Sequence, residues 1–154
     1  MLARSILEKQ QWADLIPHQG TMCLLDTVLE WDAERIVCST HSHQRLDNPL
    51  RSNGILRAIH LCEYGAQAMA VHGGLLAREH GEIAKPGLLV SLRAVQIHLP
   101  RIDELPDALI VEANKLLDSG SSWQYQFRVR HRDALLAEGR TAVMMMVDVA
   151  EKAG

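Results

Sequence analysis

The chain of 154 residues has no apolar run long enough to span a bilayer, and its opening segment, Met1 to Lys9, lacks the apolar core of a signal peptide. Both absences point to a cytoplasmic protein. Cysteine is scarce. Cys23, Cys38 and Cys62 are scattered through apolar segments, with no CxxC pair and no Cys/His ligand spacing. That pattern suits reduced core residues rather than a disulfide or zinc framework. Eight histidines are present, yet none sits in HExxH or a comparable cluster. His41 and His43, which a strand would place on one face, are a weak signal, so no metal or other cofactor is expected. An excess of positive charge is also lacking. A net charge of −3, with 23% charged residues, argues against nucleic acid as a partner. No linker, repeat or low-complexity tract divides the chain, and its length suits one domain with a real core.

What is present is one helix-rich patch and much strand. Residues 5–16 read as a short amphipathic helix, with Ser5 as its cap and Pro17 ending it. Residues 22–31 and 35–43 read as strands about a turn at Asp32-Ala33-Glu34. Leu46 to Asn53 carries the breaker set Asp, Asn, Pro, Arg and Ser. A long apolar helix then runs over about 54–72, where Gly73-Gly74 interrupt it, with a further turn toward His80. Strands follow at 88–99, 108–117, 122–132 and 134–149, with Asp133 in a tight turn and Gly139 marking a bulge. In 122–132, Trp123, Tyr125, Phe127, Val129 and His131 alternate with Gln124, Gln126, Arg128, Arg130 and Arg132. Short connections favour antiparallel pairing, and a helix apolar nearly all round needs a sheet curled about it. The fold class is therefore α+β: a central helix wrapped by a curved antiparallel sheet, called the hotdog fold, as one domain over residues 1–154.

Glu63 stands out in that helix. At about 100° per residue, Arg57, His60, Glu63, Tyr64 and Gln67 fall within roughly 120° of one another, and the rest of the circumference is apolar. A carboxylate near the middle of a buried helix is costly unless paired, hydrogen-bonded or kept protonated. The last state describes a general acid. The competing reading is a solvent-facing stripe, or a Glu fixed in a structural hydrogen bond.

Two segments carry a family resemblance. Leu15-Ile16-Pro17-His18-Gln19-Gly20-Thr21-Met22-Cys23-Leu24-Leu25-Asp26-Thr27-Val28 resembles the LPHR-x-x-(M/F)-LL-(V/L)-D-R-V segment of bacterial 3-hydroxyacyl-acyl-carrier-protein dehydratases. Glu63-Tyr64-Gly65-Ala66-Gln67-Ala68 resembles their helix motif E-(A/Y)-M-A-Q-A. The resemblance covers most of residues 12–147, and the branch it is most similar to is the small dehydratases of polyene-type lipid pathways. It implies dehydration of 3-hydroxyacyl thioesters on an acyl carrier protein or coenzyme A, in fatty-acid-like or polyene lipid synthesis. It also implies an acyl tunnel at the interface of a homodimer, or of a heterodimer with a related hotdog subunit, with histidine and carboxylate drawn from different subunits.

One departure matters. The resembled enzymes carry a catalytic histidine in a G-H-F-P-x-x-P loop before the helix, where this chain reads Asp47-Asn48-Pro49-Leu50-Arg51-Ser52-Asn53. His18 is the first replacement, because the resemblance puts its segment at the tunnel mouth; a cap or turn role beside Pro17 is the alternative. His60 is the second, one helical turn before Glu63, as a base or as a hydrogen-bond partner of that residue. Gln67 is a nearby hydrogen-bonding candidate. His72, His80, His98 and His131 have no such context and read as surface or core-edge residues. Dehydration needs a base for the proton alpha to the carbonyl, an acid for the departing hydroxyl and donors for the enolate oxygen. Imidazole and Glu63 suit the first two. Gly54, at the expected helix start, suits the third through its backbone. The alternatives are a hotdog thioesterase using Glu63, and an acyl-binding or helper subunit without activity. Arg128, Arg130 and Arg132 share a strand face that would suit an acidic carrier, or is simply solvated.

Overall fold

The computed structural model describes residues 6–83 and 87–145, the side chain of Val90 excepted. Alternation drives the sheet. In the strand Ser122–His131 the side chains of Tyr125, Phe127, Val129 and His131 are buried while Gln124 and Arg130 are exposed. Arg132, at φ 55°, supplies the left-handed residue of the turn that leads into Ala134–Met145. In chain order the strands are β1 (Leu7–Glu8), β2 (Thr27–Trp31), β3 (Arg35–Thr40), β4 (Gly87–Ile97), β5 (Leu109–Asp118), β6 (Ser122–His131) and β7 (Ala134–Met145). Among the described residues they form one seven-stranded sheet in the order β1-β2-β3-β5-β6-β7-β4, antiparallel throughout.

A short helix α1 (Lys9–Trp12) and the long helix α2 (Leu61–Glu79) complete the architecture. Helix α2 packs on β3, β5, β6 and β7, and buries Leu61, Tyr64, Ala68, Val71 and Leu75 completely or nearly so. Gly65 makes the close approach possible: a Cβ there would lie 2.4 Å from the Phe127 ring. Register shifts in β2–β3, β4–β7, β5–β6 and β6–β7 give the sheet its curl about the helix. The expected hotdog architecture is therefore present.

Several boundaries differ from the sequence expectation. The helix expected at 5–16 is a two-residue strand, a single α turn and a 3-10 turn at Ala13–Leu15; Ser5 lies outside the described residues. The strand expected at 22–31 begins at Thr27, after a 3-10 turn at Gly20–Met22. The strand expected at 35–43 ends at Thr40, so His41 and His43 sit about a 3-10 turn instead of on one strand face. The central helix begins at Leu61 rather than 54, after a 3-10 turn at Ala58–His60, and runs through Gly73-Gly74 to Glu79. Gly139 is in register with Phe127; the extra residue lies opposite it in β4, at Ala94 and Val95, with Ala94 at φ 51°. The part of the last strand expected beyond Met145 falls outside the described residues. Cys23, Cys38 and Cys62 are free and buried, as expected. Among the described residues no helix is long and apolar enough to cross a membrane, and no group of three His, Cys, Asp or Glu side chains gathers as a metal site.

Candidate active site

The helix start places Glu63 in the first turn of α2, not at mid-helix. The segment before it is extended: Ser52 and Ile55 exchange backbone hydrogen bonds, and the Ala58 N–H donates to Pro100 O at 3.1 Å. Gly54, at φ 75°, stands well ahead of the helix and is exposed. The expectation that its N–H opens the helix is thus overturned, because apolar residues such as Leu56 are buried from an extended segment.

Gln67, one turn after Glu63, is fully buried. Its Oε1 accepts from Leu24 N–H at 2.9 Å, and its Nε2 donates to Met22 O at 2.7 Å. The same Nε2 lies 3.4 Å from Glu63 Oε1. Gln67 therefore ties the Pro17–Asp26 segment to the helix. Buried Ile16, the Gln19 amide donating to Ile16 O at 3.2 Å, and Gly20 at φ 60° shape the bend that presents His18. His18 Nε2 comes to 3.3 Å from Glu63 Oε1. The two side chains keep 31% and 34% of their exposure, so the pair faces an accessible space rather than a sealed core. His18 Nδ1 is buried without a hydrogen-bond partner among the described residues, and Nε2 is the ring nitrogen that faces Glu63.

That space is a groove of about 770 Å³. His18 and Glu63 line one end, and it follows the small-residue face of α2 past Ala66, Ala70, Gly73 and Gly74 toward Arg78. The sequence carries a signal for this groove in the small residues that recur at helical spacing on one face of α2. Both glycines are required by packing. A Cβ at Gly73 would lie 2.3 Å from the Trp123 ring, and one at Gly74 2.7 Å from Leu15 Cβ.

The structure thus brings together Glu63, His18 and Gln67, all from one chain. It leaves out Gly54, and among the described contacts none joins His60 to Glu63. The loop that lacks the expected histidine is pinned by Asn48, whose Nδ2 donates to Ser42 O at 2.9 Å and to Tyr64 OH at 3.2 Å. Tyr64 OH also shares a 2.9 Å hydrogen bond with Ser42 Oγ. Burial pushes the Tyr64 hydroxyl up, so it stays neutral beside Glu63. Burial likewise raises the Cys62 thiol, which removes it as a thiolate nucleophile. His72 and His131, expected at the surface or core edge, are buried: His72 Nε2 donates to Asp32 O at 2.7 Å and His131 bonds Pro106 O. On the outer face, Arg128 pairs with Glu138 at 3.2 Å and Arg132 with Asp107 at 2.7 Å, which weakens the arginine row as a carrier site.

The chain is similar to the dehydratase heterocomplex ApeI:P from Xenorhabdus doucetiae, with 23% identity, a TM-score of 0.79, and 90% of this chain and 92% of that one covered. It is similar in fold to zebra fish thioesterase superfamily member 2, at 15% identity and a TM-score of 0.60 over 90% and 95% of the two chains. A thioesterase from Staphylococcus aureus aligns at 12% identity and a TM-score of 0.57, over 78% and 92%. None of the curated protein sequences compared with the chain matches it. The family model of ApeP-like dehydratases matches residues 10–153. The hotdog dehydratase resemblance carried by the His18 and Glu63 motifs is thereby borne out, and the chain belongs to the ApeP-like dehydratase family.

Proposed function

We propose that the protein removes water from 3-hydroxyacyl thioesters carried on an acyl carrier protein or coenzyme A. The observation that carries this reading is the His18 Nε2–Glu63 Oε1 contact of 3.3 Å at one end of a long apolar groove. In the proposed reaction the acyl chain lies along the Ala66–Ala70–Gly74 face. His18 Nε2 takes the proton alpha to the carbonyl. Electrons of the broken C–H bond form an enolate and then the carbon–carbon double bond, as the bond to the 3-hydroxyl breaks. Glu63, as the acid of the pair, gives a proton to that hydroxyl, which leaves as water. The positive end of α2 supplies a fixed dipole for the thioester oxygen as charge builds there. His18 then holds the extra proton and Glu63 lacks one. Their direct contact returns it, so the pair resets without a relay. Gln67 is a positioning residue, since it fixes both segments and touches the carboxyl.

A second hotdog subunit completes the proposed assembly. Among the described residues strand β4 is an edge of the sheet, and Leu88, Leu89 and Leu92 there, with Met144 on β7, are 42–60% exposed. An apolar unpaired edge favours strand addition by a partner. The similar Xenorhabdus doucetiae protein is described as a heterocomplex, which favours a related subunit over a second copy.

Incubation with 3-hydroxyacyl and saturated acyl thioesters, with products read by mass, tests the reading. Loss of water with the thioester retained is the expected result. Release of free thiol from the saturated thioester would instead make Glu63 a hydrolytic carboxylate. Binding without conversion, in the presence of a partner that does convert, would leave a helper subunit.

A further inference from the structure

Beyond the groove lies a second hollow of about 380 Å³, bordered by Ala33, Ala77, His80, Lys115 and Asp118. Trp123, Gly73, Glu82, Ile83 and Met145 border both spaces, and Trp123 is the large ring among them. The indole packs this close to the helix only because residue 73 has no side chain; a Cβ there would meet Cζ3 at 2.3 Å and Cη2 at 2.8 Å. Lys115 Nζ stands 5.7 Å from the Trp123 ring, and Tyr125 packs at 6.5 Å between centroids. Lys115 also pairs with Asp118 at 3.3 Å on the far side of the indole, while Ala70, Met69 and Val143 line the groove on the near side. We propose that Trp123 is the wall that ends the acyl groove and sets the longest chain the site accepts.

This inference rests on the groove being the acyl site. It makes Trp123 a specificity-determining residue for chain length, with no role in proton transfer. Removing the indole would open the 770 Å³ groove toward the further 380 Å³.

The test is the affinity of the whole protein for a ladder of straight-chain saturated acyl-coenzyme A thioesters, by calorimetry or native mass measurement. Each methylene buried in the groove should tighten binding about fourfold, until the chain reaches the wall and the gain stops. In Trp123→Ala the break should move to longer chains, and in Trp123→Phe it should stay near its original place. Should Trp123→Ala fail to fold, Trp123→Leu removes the ring while keeping aliphatic cover, and carries the same expectation. A break that stays put in the folded variant overturns the wall while leaving the groove reading intact. Affinity that does not vary with chain length in the unmodified protein overturns the groove reading, and the wall with it.

Discussion

Gln67 uses both ends of its amide on the backbone of the 22–24 segment while its nitrogen also reaches Glu63. Gln67→Leu keeps the volume but leaves Leu24 N–H and Met22 O buried without partners, each costing about 1–3 kcal/mol. The urea midpoint should fall, and kcat should fall by a larger factor than KM rises, because the His18–Glu63 geometry is displaced. An unchanged midpoint would contradict the role. The three candidates that the structure brings together were legible as candidates, because two motifs named their segments. Their contact was not, since Gln67 and Leu24 lie 43 positions apart. His72 was not legible at all. It sits on an apolar helix face, and nothing local announces that Tyr125 OH donates to its Nδ1 at 2.5 Å or that Asp32 O receives its other proton. Burial lowers the pKa of His72, and burial lowers that of His43 as well. The unfolded chain therefore binds these protons first. Stability should be full above the ordinary histidine value of about 6.5 and should decline as pH falls below it. Urea titrations from about pH 7 to about pH 5 should show this slope, and His72→Gln should flatten it while lowering stability at neutral pH. A slope of the same size in the variant would remove His72 from the account.

Helix α2 shows how far periodicity carries an element. The apolar run that begins near Gly54 continues into the helix, but Asn53 at φ 53° and Gly54 at φ 75° turn the chain, and Ile55 pairs with Ser52 before the helix begins. A short apolar run fits an extended buried segment as well as a helix, so the start was misplaced. The end was misplaced for the opposite reason. Glycine in a helix interior costs about 1 kcal/mol relative to alanine, yet Gly73 and Gly74 stay helical because Trp123 and Leu15 occupy the space their side chains would need. Gly74→Ala should therefore destabilise the protein by about 1–3 kcal/mol despite the better helix propensity. Leu15 belongs to the segment leading to His18, so its displacement should also lower turnover. A raised urea midpoint in this variant would contradict the packing argument.

At the scale of the whole molecule, antiparallel pairing was legible from short connections, but strand order was not. Among the described strands β4 is the first after the helix, yet it pairs with β7, the last, and stands at an edge. The apolar side chains on that edge suit a partner chain. Sedimentation at micromolar concentration should show association with a second copy or a related hotdog subunit, and Leu88→Lys with Leu92→Lys should weaken it without unfolding the chain. A tight dimer that tolerates both lysines would move the interface elsewhere. The proposed dehydration rests on the groove and on the paired His18 and Glu63 in a chain of the ApeP-like dehydratase family, and the turnover of a 3-hydroxyacyl thioester by the unmodified protein and by Glu63→Gln tests it most directly. With equal folding by circular dichroism and the same partner present, the unmodified protein should release water from the substrate, and the variant should do so about 10²-fold more slowly or worse. Equal turnover by the two proteins would contradict Glu63 as the acid and return the site to acyl binding alone.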